Sequence, residues 1–360
     1  MKLFLTGGFL GSGKTTAIQK AVSYLHGKNK RVGVITNDQG DKQVDTAFIK
    51  GNNIAVEEVA GSCFCCNYPA LEKGISALRE AQQIEIIFAE SVGSCTDLAA
   101  TIINPLLSLS PGEYEIVLSV FADIRLLVMY LQNGERLFFD DVTYIFKKQL
   151  EEADVIVVNK IDLITTQQLQ QAQQLINAAY SNKKILYQNS LSAQSIKAWV
   201  DVLCNSFTNH KLREVLNIDY DIYGSGEALL TWLDEDITIT AQSETAVEVA
   251  YTLIDKIYNS ITAGGYPIGH IKCLIDTGLE QQKISFTSIY TKINSTDKIE
   301  ETTSVNMLIN ARVQAQPHVL QHIVSDAIKQ AQVDANCMIT ENKLSCFTPG
   351  YPRPTHRVAG

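Results

Sequence analysis

The segment that most constrains this chain is Gly8-Phe-Leu-Gly-Ser-Gly-Lys14-Thr15, which follows a short apolar run and leads straight into a helical pattern. Glycines at 8, 11 and 13 leave the backbone free to curl, so its N–H groups can close around a phosphate at the start of a helix. In that setting Gly8, Gly11, Ser12 and Gly13 surround a β-phosphate, Lys14 neutralises the β/γ oxygens, Thr15 ligates Mg²⁺ and Thr16 follows on the first turn. A full Walker A pattern in strand-loop-helix context predicts an α/β P-loop NTPase with a mostly parallel sheet.

The chain keeps a βα rhythm up to residue 206. Strands are predicted over 2–6, 31–36, 54–57, 84–89, 114–120, 155–158 and 184–187, with helices over 15–26 (ended by Gly27), 96–107 and 166–179. The glutamine-rich run in the last of these reads as a solvated helix face. We therefore expect a P-loop domain over 1–206 and a linker over 207–226, where a polar run ends in Gly224, Ser225 and Gly226. A smaller α+β domain is expected over 227–332, with strands over 229–240, 268–276, 284–290 and 305–312 and helices over 244–261 and 317–330. Residues 333–360, with Pro349, Pro352 and Pro354, read as an extended arm.

Composition narrows the function classes. Hydrophobic residues at 46% and charged ones at 19% are globular usage with material for a buried core, and 360 residues suit two domains better than one. A formal charge of -9 without a basic cluster argues against a nucleic-acid partner. No apolar run approaches the roughly eighteen residues that a membrane span needs. The opening residues turn glycine-rich at Gly7, too soon for a signal-peptide core, so the expected location is cytoplasmic. There the eight cysteines read as metal ligands, reactive groups or small core residues and not as a disulfide framework.

Asn159-Lys160-Ile161-Asp162 follows the predicted strand at 155–158, where a guanine-reading loop belongs in a P-loop GTPase. Asp162 can accept two hydrogen bonds from the N1 and N2 donors of guanine, a pairing that adenine does not offer. Ser190-Leu191-Ser192-Ala193 is a weaker candidate for the other side of the base. The strand at 84–89 runs into Glu90-Ser91-Val92-Gly93, where Glu90 can hold the Mg²⁺ water shell and the Gly93 N–H can sense the γ-phosphate. Upstream, Asn37-Asp38-Gln39-Gly40 and Asp45 occupy the switch I position, and a carboxylate there can orient water or reach Mg²⁺. Cys63-Phe64-Cys65-Cys66 then puts three thiols within four residues on one loop. Thiolates select soft or borderline ions such as Zn²⁺ or Cu(I), and three of them leave a coordination position for an outside ligand.

Taken in order, GFLGSGKT, the 37–45 segment, CFCC, Glu90-Ser-Val-Gly and NKID resemble the CobW family of GTPases, which groups with the nickel-insertion GTPases of hydrogenase and urease maturation. The resemblance covers residues 1–205. It implies a GTP-hydrolysing metallochaperone or metal insertase that uses GTP and Mg²⁺. Cys63, Cys65 and Cys66 would hold a transferred metal, Zn²⁺ first and Co²⁺ or Ni²⁺ as alternatives. The implied partners are a client metalloprotein and a nucleotide-dependent homodimer, and the implied catalytic residues are Lys14, Asp45 and Glu90. Family members usually carry Asn-Glu-Phe-Gly in switch I, where this chain has Asp38 and Gln39, so Asp38 is a metal candidate of shorter reach. The second domain does not obviously match the family's usual C-terminal domain, and the His-rich metal stretch seen in some members is absent. A GTPase chaperone of a cobalamin-dependent enzyme and a passive zinc sensor or store are the competing expectations.

Spacing bears on three further pairings. His318 and His322 are four apart on a predicted helix and could share a metal, though surface histidines commonly do not. Cys337, Cys346 and His356 could form a second site, but 338–347 reads more simply as a hairpin around Glu341 and Asn342. His270 and Cys273 lie an odd number of residues apart on one strand and should face opposite sides.

Overall fold

The computed structural model describes residues 1–38, 44–50, 54–132, 138–205, 211–289 and 299–360. Gln39, Gly40, residues 207–210 of the expected linker and the expected strand end at residue 290 lie outside the described residues. The chain forms two compact units, one of Met1–Gln39, Asn52–Gly226 and Pro352–Gly360, the other of Gly40–Gly51 and Glu227–Tyr351.

The first unit is built on seven strands: β1 (Lys2–Gly8), β2 (Val32–Asn37), β3 (Ala55–Val59), β4 (Ile86–Glu90), β5 (Glu115–Asp123), β6 (Val155–Asn159) and β7 (Lys184–Gln188). Their order is β3-β2-β4-β1-β5-β6-β7 and every pairing is parallel. Central strands such as Ile86–Glu90 and Val155–Asn159 are buried along their whole length, as a sheet covered on both faces requires. The cover comes from α1 (Lys14–His26), α3 (Tyr68–Gln82), α4 (Asn104–Leu109), α5 (Ile124–Leu131), α6 (Asp140–Glu152), α7 (Thr166–Ala179) and α8 (Ala193–Asn205), while α2 (Val44–Lys50) belongs to the second unit. The glutamine-rich α7 does present a solvated face. It buries Ala172 and Ile176 and is started by a Thr165–Gln168 capping box.

Two local expectations need correction. The helix expected over 96–107 begins later, because Asp97 takes a left-handed backbone (φ 64°) and a π-turn over Ala99–Ile103 precedes α4. Gly224, Ser225 and Gly226 do not break the chain but lie inside α9 (Tyr220–Ala228). Gly226 is there for packing, since a Cβ would sit 2.4 Å from the Asp141 carbonyl oxygen.

The second unit carries β8 (Thr231–Thr240), α10 (Ala246–Ala263), β9 (Ile268–Asp276), β10 (Gln281–Phe286), β11 (Ser304–Val313), α11 (Pro317–Ala335) and β12 (Met338–Phe347). Its five strands pair antiparallel in the order β10-β9-β11-β8-β12, and alternate residues such as Ile237, Ile239, Ile271 and Ile309 form one core with α10 and α11. Residues 338–347 are one strand beside β8 and not a hairpin. The register shifts between Glu341 and Lys343, and the Asn342 amide between them bonds Asp236 and Thr238. The arm expected from Val333 is therefore helix and strand as far as Phe347.

Candidate functional site

The loop after β1 takes its shape from glycine. Gly8, Gly11 and Gly13 all have positive φ, at 119°, 67° and 94°. A Cβ on Gly8 would lie 2.2 Å from the Phe121 carbonyl oxygen, and one on Gly13 would lie 2.4 Å from the Asn159 amide nitrogen. Only glycine fits this path. Lys14 Nζ donates to the carbonyls of Gly8 at 2.7 Å and Phe9 at 3.3 Å, which keeps a buried ammonium poised over the loop. Ser12 Oγ is buried with no hydrogen-bond partner among the described residues, as a loop shaped for an outside ligand would leave it.

The β1–β4 register sets Thr6 beside Glu90, and the Thr15 hydroxyl donates to the Glu90 carboxylate at 2.9 Å. A hydroxyl and a carboxylate at that separation are the hard oxygen donors that suit Mg²⁺ beside a triphosphate. Gly93 lies close to the same loop, since its Cβ would stand 2.6 Å from Leu10 Cδ2. Thr16 is half-buried on the first turn of α1.

At the end of β6, Asn159 joins three segments distant in sequence. Its amide donates to the Ser12 carbonyl at 2.8 Å, and its Oδ1 accepts from the Ser190 N–H at 3.1 Å and hydroxyl at 2.9 Å. Lys160 takes a left-handed backbone and reaches Asp123 at 3.1 Å, after which a 3₁₀ turn over Ile161–Leu163 leaves Asp162 exposed. Burial opposes the Asp123 charge, but Arg125 and Lys160 outweigh it and hold its carboxyl below the usual range. Walker loop, Asn159 and the 190–193 loop thus assemble at the C-terminal edge of one parallel sheet, where such sheets bind ligands.

The cysteine loop follows β3 and is fastened to the end of β2. The Asn37 amide donates to the carbonyls of Val59 at 2.9 Å and Ser62 at 2.7 Å, and its Oδ1 accepts from the Phe64 N–H at 2.8 Å. A turn closed by the N–H groups of Cys66 and Asn67 on the Cys63 carbonyl then faces the sulfurs together. Cys63 and Cys65 sulfurs are 2.8 Å apart, Cys65 and Cys66 sulfurs 3.8 Å, and all three fall within 4.8 Å. A tetrahedral ion with bonds of about 2.3 Å places its sulfurs about 3.8 Å apart, so one zinc fits this set after a small opening.

Hydrogen bonds from the Cys65, Cys66 and Cys95 thiols pull the Cys63 thiol well below its usual range. The bonds to Cys63, Cys66 and Cys95 push Cys65 up, and the bond to Cys63 together with burial pushes Cys66 up to about 11 against the opposing bond to Cys65. A metal that binds here takes the place of the thiol protons, which leave as the sulfurs ligate.

Two features of this site lie beyond the residues that its sequence motifs single out. Cys95 touches Cys63 and Cys65, and its one sequence signal is that Gly93-Ser94-Cys95 directly extends the Glu90 motif. The tail also crosses the loop. Arg353 N–H donates to the Cys66 sulfur at 3.2 Å, Thr355 bonds the Cys65 and Cys66 carbonyls, and the His356 ring stands edge-on to Tyr68 at 4.8 Å. Contacts between residues so far apart leave no periodic signal.

The remaining candidates separate. Asp38 is half-buried just past β2, with its N–H on the Val59 carbonyl at 3.3 Å. Asp45 lies in the second unit, on α2, where its carboxylate pairs with Lys272 and, at 2.5 Å, Lys283. Burial opposes its charge, yet the two lysines hold it far below the usual range, which makes it a weak base. His322 pairs with Asp326 at 3.1 Å. Cys337 and Cys346 thiols bond the Ala331 and Pro317 carbonyls in the second unit, whereas His356 belongs to the first. Cys273 joins the helix-facing core with Ile271 and Ile275, the alternate residues of β9, and His270 lies at the other parity of that strand. Among the described residues, Cys63, Cys65 and Cys66 are the one group of three His, Cys, Asp or Glu gathered closely enough to hold an ion.

Residues 2–187 match the family model described as CobW/HypB/UreG, nucleotide-binding domain. Zinc chaperone YeiR of Escherichia coli is 30% identical over 176 residues, 47% of this chain and 49% of its own length. Zinc chaperone CobW of a Sinorhizobium species is 25% identical over 200 residues, covering 49% and 55%. Zinc-regulated GTPase metalloprotein activator 1 of Schizosaccharomyces pombe is 29% identical over 177 residues, covering 47% and 41%. The chain spans about half the length of the curated relatives it matches. With the matched stretch covering the Walker loop, the cysteine loop, Glu90 and the Asn159–Asp162 loop, the chain belongs to the CobW/HypB/UreG family.

Proposed function

We propose that the protein is a GTP-hydrolysing metallochaperone that takes up zinc on Cys63, Cys65 and Cys66 and hands it to a client metalloprotein. The observation that carries this reading is the thiol set itself: two sulfurs buried, one half-buried, all within 4.8 Å. Asn37 ties that set to the strand end where switch I begins. The names of the relatives, zinc chaperones and a zinc-regulated GTPase, support zinc over cobalt or nickel.

On this reading Gly8, Gly11, Ser12 and Gly13 enclose the phosphates. Lys14 leaves its loop carbonyls to neutralise the β/γ oxygens, and Thr15 and Glu90 hold Mg²⁺, which supplies charge neutralisation during phosphoryl transfer. Gly93 senses the γ-phosphate, Asn159 and Lys160 brace the base site, and Asp162 reads guanine. A carboxylate that accepts from N1 and N2 of guanine meets no such donors on adenine.

The test pairs turnover with metal content. Labelled GTP should resist competition by equal ATP, Lys14→Ala should lose tight triphosphate binding, and replacing Cys63, Cys65 and Cys66 by Ser should remove one tight zinc site. Equal competition by ATP, or full zinc binding by the triple variant, would contradict the proposal.

A further inference from the structure

The sulfur set extends one residue beyond the cysteine loop. Cys95 is 1% exposed, and its thiol is in hydrogen-bonding contact with those of both Cys63 and Cys65. It arrives from another part of the sheet, on the loop leaving β4, five residues after Glu90 and two after Gly93. That loop is braced from α6. The buried Gln149 amide donates to the carbonyls of Gly93 at 3.0 Å and Cys95 at 2.8 Å, and the Cys95 N–H returns to the Val92 carbonyl at 3.0 Å. From the opposite side Cys66 accepts the Arg353 N–H, the kind of donor that supports a sulfur carrying negative charge.

We propose that Cys95 is the fourth sulfur ligand of the metal site and that its place on the loop after Glu90 lets the nucleotide state open and close that site. The proposal rests on the chaperone reading above. Zinc takes four ligands, and a site with three protein ligands keeps one position open, whereas a site with four is closed. Cys63, Cys65 and Cys66 alone are the open form. Cys95 touches Cys63 and Cys65 but stands outside the group gathered within 4.8 Å, so its closing on the ion would complete an all-thiolate set that retains zinc and disfavours harder ions. Thr15 and Glu90 are hydrogen-bonded at one end of the 90–95 segment, so a change in what they hold is felt at Cys95. Withdrawal of that sulfur exposes a coordination position to a donor from the client, and the ion leaves by ligand exchange. Each thiol that binds releases its proton to solvent, and no oxidant or reductant is required.

Zinc-edge X-ray absorption on the full chain loaded with one equivalent of Zn²⁺, with GDP and with a non-hydrolysable GTP analogue, counts the sulfurs directly. We expect four sulfurs at about 2.3 Å in one nucleotide state and three in the other, with Cys95→Ser giving three sulfurs and one lighter ligand in both. Three sulfurs in the unaltered protein in both states overturn the proposal however the variant folds, and leave a three-thiol chaperone standing. Four sulfurs retained in Cys95→Ser overturn it as well. No tight zinc in the unaltered protein overturns both this proposal and the reading beneath it.

Discussion

Two buried amides join the parts of the site at the scale of single residues. Asn159 ties the Walker loop to the 190–193 loop, and Asn37 ties the end of β2 to the cysteine loop. Both residues stand in motifs visible in the sequence, but their partners do not, because a side chain's neighbours across a sheet follow from strand order. Asp45 shows the same gap from the other side. Its place after β2 suggests a switch carboxylate, and only the fold brings Lys272 and Lys283 to it. Asp45→Asn should destabilise the protein by about 2 kcal/mol at neutral pH, the scale of hydrogen bonds to charged groups, while GTP turnover persists. Because the folded carboxyl is depressed, the stabilisation is present above the unfolded value near 3.9 and is lost as the pH falls below it. Thermal unfolding and turnover of the variant decide the matter. Unchanged stability with lost turnover would return Asp45 to the catalytic role its sequence position suggests.

At the scale of elements, α6 braces the loop carrying Gly93 and Cys95. Gln149 holds the two carbonyls, and one turn later Glu152 accepts from the Thr96 hydroxyl at 3.1 Å and the Ala99 N–H at 3.3 Å. Burial pushes the Glu152 carboxyl up to about 8, with Asp97 adding to the effect against the bonds from Ala99 and Thr96. A raised folded value means that its contribution is fully present below the unfolded value near 4.3 and is lost as the pH rises through about 8. Melting temperatures at pH 5.5 and 8.5 should therefore fall more steeply with pH for the unaltered protein than for Glu152→Gln. Parallel lines for the two would show that Glu152 is ionised throughout. The helix α6 is not among those read from the sequence, where 140–152 follows the strand at 114–120 without an assignment. Its grip on the loop after β4 is not legible either, since Gln149 and Glu152 look like surface residues until the fold covers them.

Across the whole molecule, the seven-stranded parallel sheet and the separate antiparallel unit were readable from alternation and spacing because each rests on local pattern. The chain's path between them was not. It leaves the first unit after Gln39, returns at Asn52, leaves again after Gly226 and returns at Pro352. The last nine residues thus reach the cysteine loop, where Arg353 and Thr355 bond Cys65 and Cys66. Asn37 at the end of β2, and Cys95 beyond Glu90, approach the same loop from the two nucleotide-facing strands. On the proposed mechanism, metal affinity and nucleotide state are one linked equilibrium. A zinc titration against a competing chelator in the apo, GDP and GTP-analogue states tests it most directly. Linkage requires that any shift in zinc affinity be matched by an equal shift in nucleotide affinity, and a coupling of about 1 to 3 kcal/mol would appear as roughly a 5- to 150-fold difference between states. We predict such a difference, abolished when Cys63, Cys65 and Cys66 are replaced by Ser. The same zinc affinity in all three states would contradict the account, leaving a GTPase that holds metal without using its nucleotide to release it.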